Sequence, residues 1–143
     1  LKIVVDADAC PRDVLEICRR VGQEAGVPVW TVASFHHQIS SDHHLTVGDA
    51  PEETDLAIVN AVRAGDIVVT QDWGLASLVL GRHCLALSPN GRVFRAEDMP
   101  FLLEERALKA RFRRGGGRTK GPRSRTAADN QRFEAALRNL ISK

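Results

Sequence analysis

Four aspartates in this 143-residue chain stand where they can act together. Asp6 and Asp8 follow the apolar run Leu1-Lys-Ile-Val-Val5, and Asp72 ends a second run, Ile67-Val-Val-Thr-Gln71. Asp55 falls in helical register with Ile58, Val59 and Val62, so it faces inward rather than toward water. Carboxylates gathered at strand ends suit a hard divalent cation, Mg²⁺ or Mn²⁺, which takes oxygen ligands together with water and phosphate. Two carboxylates about 4 Å apart repel by roughly 4 kcal/mol at an effective dielectric of 20, and a buried one pays for desolvation; a cation removes both penalties. Three of the four acids also have a structural alternative. Asp8 can cap a helix opening near Pro11, Asp72 can cap the helix after its strand, and Asp55 can pair with Arg63.

The second chemical feature is cationic. From Arg106 to Arg125, nine of twenty residues are Lys or Arg and none is acidic. The net charge of +2 hides a balance of −8 over residues 1–105 and +10 over residues 106–143. Arg113 to Arg125 carries four Gly and one Pro, too many for a regular element. Its side chains, among them Arg114 and Arg123, and the N–H groups at its glycines suit phosphates. It is not a nucleotide-binding P-loop, because Gly-x-x-x-x-Gly-Lys-[Ser/Thr] is absent. The alternative is a solvated linker, or one lying over the protein's own acidic edge.

The elements that must position these groups alternate. Strands are expected at Lys2–Asp6, Val27–Ala33, Leu45–Val47, Ile67–Thr70 and Cys84–Leu87, with a short extension at Val93–Phe94. Helices are expected from Pro11 to Gly26, from an Asp49 cap with Glu52 in a capping box to Ala64, from Gly74 to Leu80, and from Asp98 to Phe112. A last helix starts at a Thr126 cap, with Phe133, Ala136, Leu137, Leu140 and Ile141 on one face. Such alternation predicts an α/β protein: a three-layer α/β/α sandwich with a mainly parallel central sheet. Ligands bind such sheets at the carboxyl ends of the strands, where Asp6, Asp8 and Asp72 lie. The expected organisation is one domain over 1–143, with a basic Gly-rich loop at 113–125 and a docked helix at 127–142.

Other features are less telling. Three cysteines without C-x-x-C spacing argue against a disulfide framework or a zinc site; Cys18 and Cys84 fall on apolar faces, whereas Cys10 adjoins the Asp6/Asp8 pair. The histidines His36, His37, His43 and His44 are expected in a loop as solvated residues. Trp73 either packs between helix and sheet or stacks on a base. No run reaches the roughly 20 apolar residues of a membrane span and no leader pattern opens the chain, so a cytoplasmic location without membrane association is expected.

Several segments in combination resemble a known family: Val5-Asp-Ala-Asp-Ala-Cys-Pro11, Gly65-Asp-Ile-Val-Val-Thr-Gln-Asp72 with Trp73-Gly-Leu-Ala76, Leu87-Ser-Pro-Asn-Gly91 and Thr119-Lys-Gly-Pro122. These are similar to the YaiI/YqxD family of small bacterial proteins, itself similar to PIN-like domains, whose characterised members are Mg²⁺/Mn²⁺-dependent nucleases. The resemblance implies a PIN-like sandwich in which Asp6 matches the first-strand aspartate and Asp55 and Asp72 match the later pair, as metal ligands. It also implies Arg118, Thr119 and Lys120 as substrate contacts. PIN nucleases usually carry a further acid on an intervening helix; no residue here matches it, and Asp8 is the nearest substitute.

The leading expectation is a metal-dependent nuclease acting on RNA, ahead of DNA, with Asp6, Asp8, Asp55 and Asp72 at its centre; a homodimer is compatible with it. Two alternatives stay open. One is a nucleic-acid-binding protein without turnover. The other is a phosphatase resembling the haloacid dehalogenases, with Asp6 as nucleophile and Asp8 as acid/base, because Asp6-Ala-Asp8 looks like their motif.

Overall fold

The computed structural model describes residues 1–35, 39–99 and 124–143. Six strands form one sheet: β1 (Ile3–Asp6), β2 (Val29–Ser34), β3 (His43–Val47), β4 (Ile67–Val69), β5 (Leu85–Leu87) and β6 (Val93–Phe94). Their order is β3-β2-β1-β4-β5-β6, and every pairing is parallel except β5 with β6. Chain order runs outward from β1 in one direction and outward from β4 in the other. The reversal between β1 and β4 leaves a crevice at the carboxyl end of the sheet, the place where open α/β sheets take ligands.

The period-two alternation of the strands sorts the core into two layers. Ile3 and Val5 of β1, Ile67 and Val69 of β4 and Leu87 of β5 face one side with Val14, Ile17, Cys18 and Val21 of α1 (Arg12–Ala25). The last helix, α4 (Ala127–Ile141), covers the same side with Phe133, Leu137 and Leu140. Val4, Val32, Val68 and Ala86 face the other side, against Ile58 of α2 (Pro51–Ala61), Val62 just after it, and Leu75, Ala76 and Val79 of α3 (Trp73–Leu80). The protein is thus an α/β sandwich of helices on both faces of a mainly parallel sheet, as its alternating pattern predicts.

Local chemistry explains most boundaries. Gly26, at φ 69°, ends α1 in the left-handed region, and Thr126 opens α4 with a reciprocal capping box shared with Asp129. Two expectations fail locally. The helix cap expected at Asp49 is absent: Pro51 takes the first turn, Ala50 stands at the cap position, and no side chain bonds there. His43 and His44 are not loop residues but the first two of β3, where His43 stacks on Trp30 with centroids 4.2 Å apart and His44 Nδ1 meets Thr31 Oγ1 at 2.6 Å. Strand pairing with β2 overrides their polar character. His36 and His37, the helix expected to run to Phe112 beyond Met99, and the loop expected at 113–125, up to its last two residues, lie outside the described residues.

Candidate active site

Asp6 is the last residue of β1, and the register that pairs Val5 with Val69 carries it beside Thr70 just beyond β4. Thr70 Oγ1 donates to Asp6 Oδ2 at 2.9 Å and accepts from the Asp72 N–H at 3.0 Å. One buried hydroxyl therefore ties together the ends of two strands 64 residues apart. Asp72 in turn caps α3, its Oδ1 accepting from Gly74 N and Leu75 N at 2.8 and 3.2 Å. The same residue also lines the crevice.

Asp8 lies on a single 3-10 turn, Ala7–Ala9, between β1 and α1. It does not cap α1, whose cap position is Pro11. It turns instead toward β2, its two carboxylate oxygens 3.0 Å from the Ser34 N–H and one of them 3.2 Å from Ser34 Oγ. Asp55 is half-buried on the inner side of α2. Asp6, Asp8, Asp55 and Asp72 all line one open cleft of about 360 Å³, together with Asp49, Ser34 and Thr54. The four acids proposed from sequence are brought to a common rim.

The electrostatics agree with crowding. Burial pushes the Asp6 carboxyl up to about 6; the Thr70 hydrogen bond opposes this, and the charges of Asp55, Asp72 and Asp8 add to it. Burial and then the Asp6 charge push the Cys10 thiol up to about 12, against the pull of Arg125, so Cys10 is a protonated thiol at neutral pH and no nucleophile. Asp66 sits at the other end of the sheet, before β4, paired to Lys2 Nζ at 2.5 Å. It does not join the cleft, which deprives the phosphatase alternative of a further acid.

Among the described residues, no group of three or more His, Cys, Asp or Glu side chains is arranged to hold a metal ion. That excludes a preformed protein cage as the side chains stand. It leaves the manner usual for Mg²⁺, one or two carboxylates completed by water and substrate phosphate. The donors at the cleft are all hard oxygens, and burial raises the Asp6 pKa with the charges of Asp55, Asp72 and Asp8 adding to it, so the residues fit such a cation in kind.

Arg114, Arg118, Thr119, Lys120 and Arg123 lie outside the described residues. Sequence reasoning passed over three features that the fold brings to the same edge, and the fold adds a neighbour for one that it had noted. Asp49, taken as a cap, lines the cleft, and Ser34 and Thr70 orient its acids. Asn90 and Arg92, on the turn between β5 and β6, line the adjoining hollow with Trp73. Arg125, at the end of the basic stretch, lies close enough to Cys10 to lower its pKa. The Pro89-Asn-Gly91 turn was legible as a turn, but its position beside Asp72 depends on β5 pairing with β4.

A family model described as "Uncharacterized BCR, YaiI/YqxD family" matches residues 4–143. A UPF0178 protein of Heliobacterium modesticaldum is 54% identical, over 99% of this chain and 97% of its own length. Another, of Exiguobacterium sibiricum, is 42% identical over 99% and 97%. Among solved structures, a crystal structure of Rae1 (YacP) from Bacillus subtilis is similar over 99% of each chain at 19% identity and a TM-score of 0.46, too distant to carry chemistry across. No helix among the described residues is long and apolar enough to cross a membrane.

Proposed function

The chain belongs to the YaiI/YqxD family, and from that premise and the geometry of its acids we propose that it is a metal-dependent nuclease cleaving RNA or DNA phosphodiesters. The observation that carries this is the convergence of Asp6, Asp8, Asp55 and Asp72 on one cleft at the reversal point of the sheet. Mg²⁺ or Mn²⁺ would be held by one or two of Asp6, Asp55 and Asp72, completed by water and phosphate oxygens. Bound there, it would lower the pKa of water and offset charge developing on the phosphate during in-line attack.

The chain's own residues supply the rest. Thr70 fixes the orientation of Asp6 and the backbone of Asp72 with a single hydroxyl. Ser34 holds Asp8 at the rim, where it stands in for the fourth acid of PIN nucleases. Arg114, Arg118, Thr119, Lys120 and Arg123 would hold the substrate backbone, with affinity falling steeply as salt rises.

The test is cleavage of labelled RNA and DNA strands by purified protein with Mn²⁺, with EDTA as control. Asp72→Asn keeps an oxygen for the α3 cap, so it should melt close to wild type. Its cleavage should fall by more than the roughly 100-fold that loss of an outer partner costs. No cleavage by the wild type, or undiminished cleavage by the variant, would end the nuclease reading. One second reading is a nucleic-acid-binding protein without turnover, favoured because no residue matches the further acid that PIN nucleases carry. Salt-dependent binding that ignores metal and produces no cleavage would select it.

A further inference from the structure

The acidic cleft is one half of a longer groove. Beyond Asp6 and Asp72, which line both halves, lies a hollow of about 900 Å³ with a different lining. Among the described residues it has no carboxylate other than those two; its walls include Gln71, Trp73, Asn90, Arg92 and Phe94. Trp73 is half-buried, packed against the core layer under α3, and lines the hollow with its remaining surface. Gln71 donates to the Ala9 carbonyl at 2.9 Å, which places its side chain across the floor between β1 and α3. Asn90 and Arg92 are exposed. Arg125 reaches Asn90 Oδ1 at 3.5 Å and Asn130 Oδ1 at 2.6 Å, while its Nη2, shielded from solvent, has no hydrogen-bond partner among the described residues.

We propose that this hollow holds an unpaired nucleoside adjoining the phosphate at the acidic cleft, its base against Trp73 and its outer phosphate on Arg92. The proposal rests on the nuclease reading for the position of the cleaved phosphate and adds the substrate class, single-stranded nucleic acid. An aromatic face beside guanidinium groups is how strands are held without strict sequence preference. The side-chain amide of Asn90 offers both donor and acceptor to a base edge, so it discriminates weakly. A paired base cannot offer its face to Trp73, because its neighbours in the stack cover it. Arg125 meets Asn90 Oδ1 at 3.5 Å and so steadies the turn that carries Arg92.

The experiment measures binding in EDTA, where cleavage plays no part, by fluorescence anisotropy of a labelled single-stranded RNA, the DNA strand of the same sequence, and the blunt RNA duplex. Trp73→Ala should weaken binding of both single strands roughly 10-fold, and Trp73→Phe should keep most of it. The duplex should show no such dependence. Because Trp73 also packs on the core, Arg92→Ala at its exposed position provides an independent measure. It should lower the slope of log affinity against log salt by about one. Unchanged strand binding in both alanine variants overturns the proposal, and does so even if the wild type cleaves with Mn²⁺. Trp73-dependent binding by a protein that cleaves nothing retains the hollow and removes the nuclease.

Discussion

The burial and the neighbouring charges that lift the Asp6 carboxyl to about 6 also determine how its ionisation acts on stability. The folded carboxyl holds its proton more tightly than an ordinary one near 3.8. Whatever stability this lends is therefore full below about pH 4 and lost as pH rises through about 6. At neutral pH the ionised group opposes folding by up to about 3 kcal/mol. Asp6→Asn keeps an acceptor for Thr70 and removes the charge. It should stabilise the metal-free protein near pH 8 by an amount of that order, and by much less near pH 4. Urea titrations of both proteins in EDTA at the two pH values measure the difference, and an equal gap at both would mean that Asp6 titrates like a solvated carboxylate. Such a cost is what the proposed role of Asp6 at a reaction centre would lead one to expect.

Elements place these residues through turns that tolerate little change. Gly91, at φ +87°, closes the turn that presents Asn90 and Arg92, and a Cβ built on it would lie 2.8 Å from the Arg132 backbone of α4. Gly91→Ala should cost about 1–3 kcal/mol, since it meets both a left-handed conformation and a backbone contact that cannot yield. The hollow should change with it, because the turn would have to lift from α4. At the start of α4, Thr126 Oγ1 accepts from the Asp129 N–H at 3.3 Å, and Asp129 accepts from the Thr126 N–H at 2.9 Å. Thr126→Ala should lose about 1 kcal/mol in thermal melts and speed hydrogen exchange in the first turn of α4. Normal exchange there would show that packing of Phe133 and Leu137 alone holds the helix start. The cap expected at Asp49 failed for a comparably local reason, since Pro51 occupies the first turn.

Across the whole molecule, acids are divided between the two ends of the sheet. At the amino end Asp66, almost wholly buried, is tied to the Lys2 side chain and to the N–H groups of Lys2 and Arg63. Burial alone would raise its pKa, but the Lys2 side chain, the two backbone donors and the Lys2 charge bring it below the usual carboxylate value. A depressed folded pKa contributes stability above the usual carboxylate range that disappears as pH falls through and below it. Lys2→Met should therefore cost about 2 kcal/mol at neutral pH and progressively less in acid, as read from urea midpoints against pH. A loss independent of pH would assign the effect to packing against Trp30, whose ring Lys2 Nζ approaches to 5.0 Å. At the carboxyl end the donor that meets Asp6 among the described residues is the Thr70 hydroxyl, and there the cleft opens.

What the amino-acid sequence determined alone was whatever depends on neighbours along the chain. The strand and helix periods, the Gly26 and Thr126 boundaries and the two-sided apolar run Ile67–Val69 imply a parallel sheet covered on both faces. A parallel sheet then brings Asp6 and Asp72 to one edge, because strand ends are where such chains turn. What the tertiary structure decided depends on register between distant segments. It is strand pairing that sets Thr70 under Asp6, directs Asp8 to Ser34, draws His43 and His44 into β3, and seats the Asn90 turn beside Trp73. A local pattern specifies which face a residue takes but carries no record of which residue, tens of positions away, will stand opposite it.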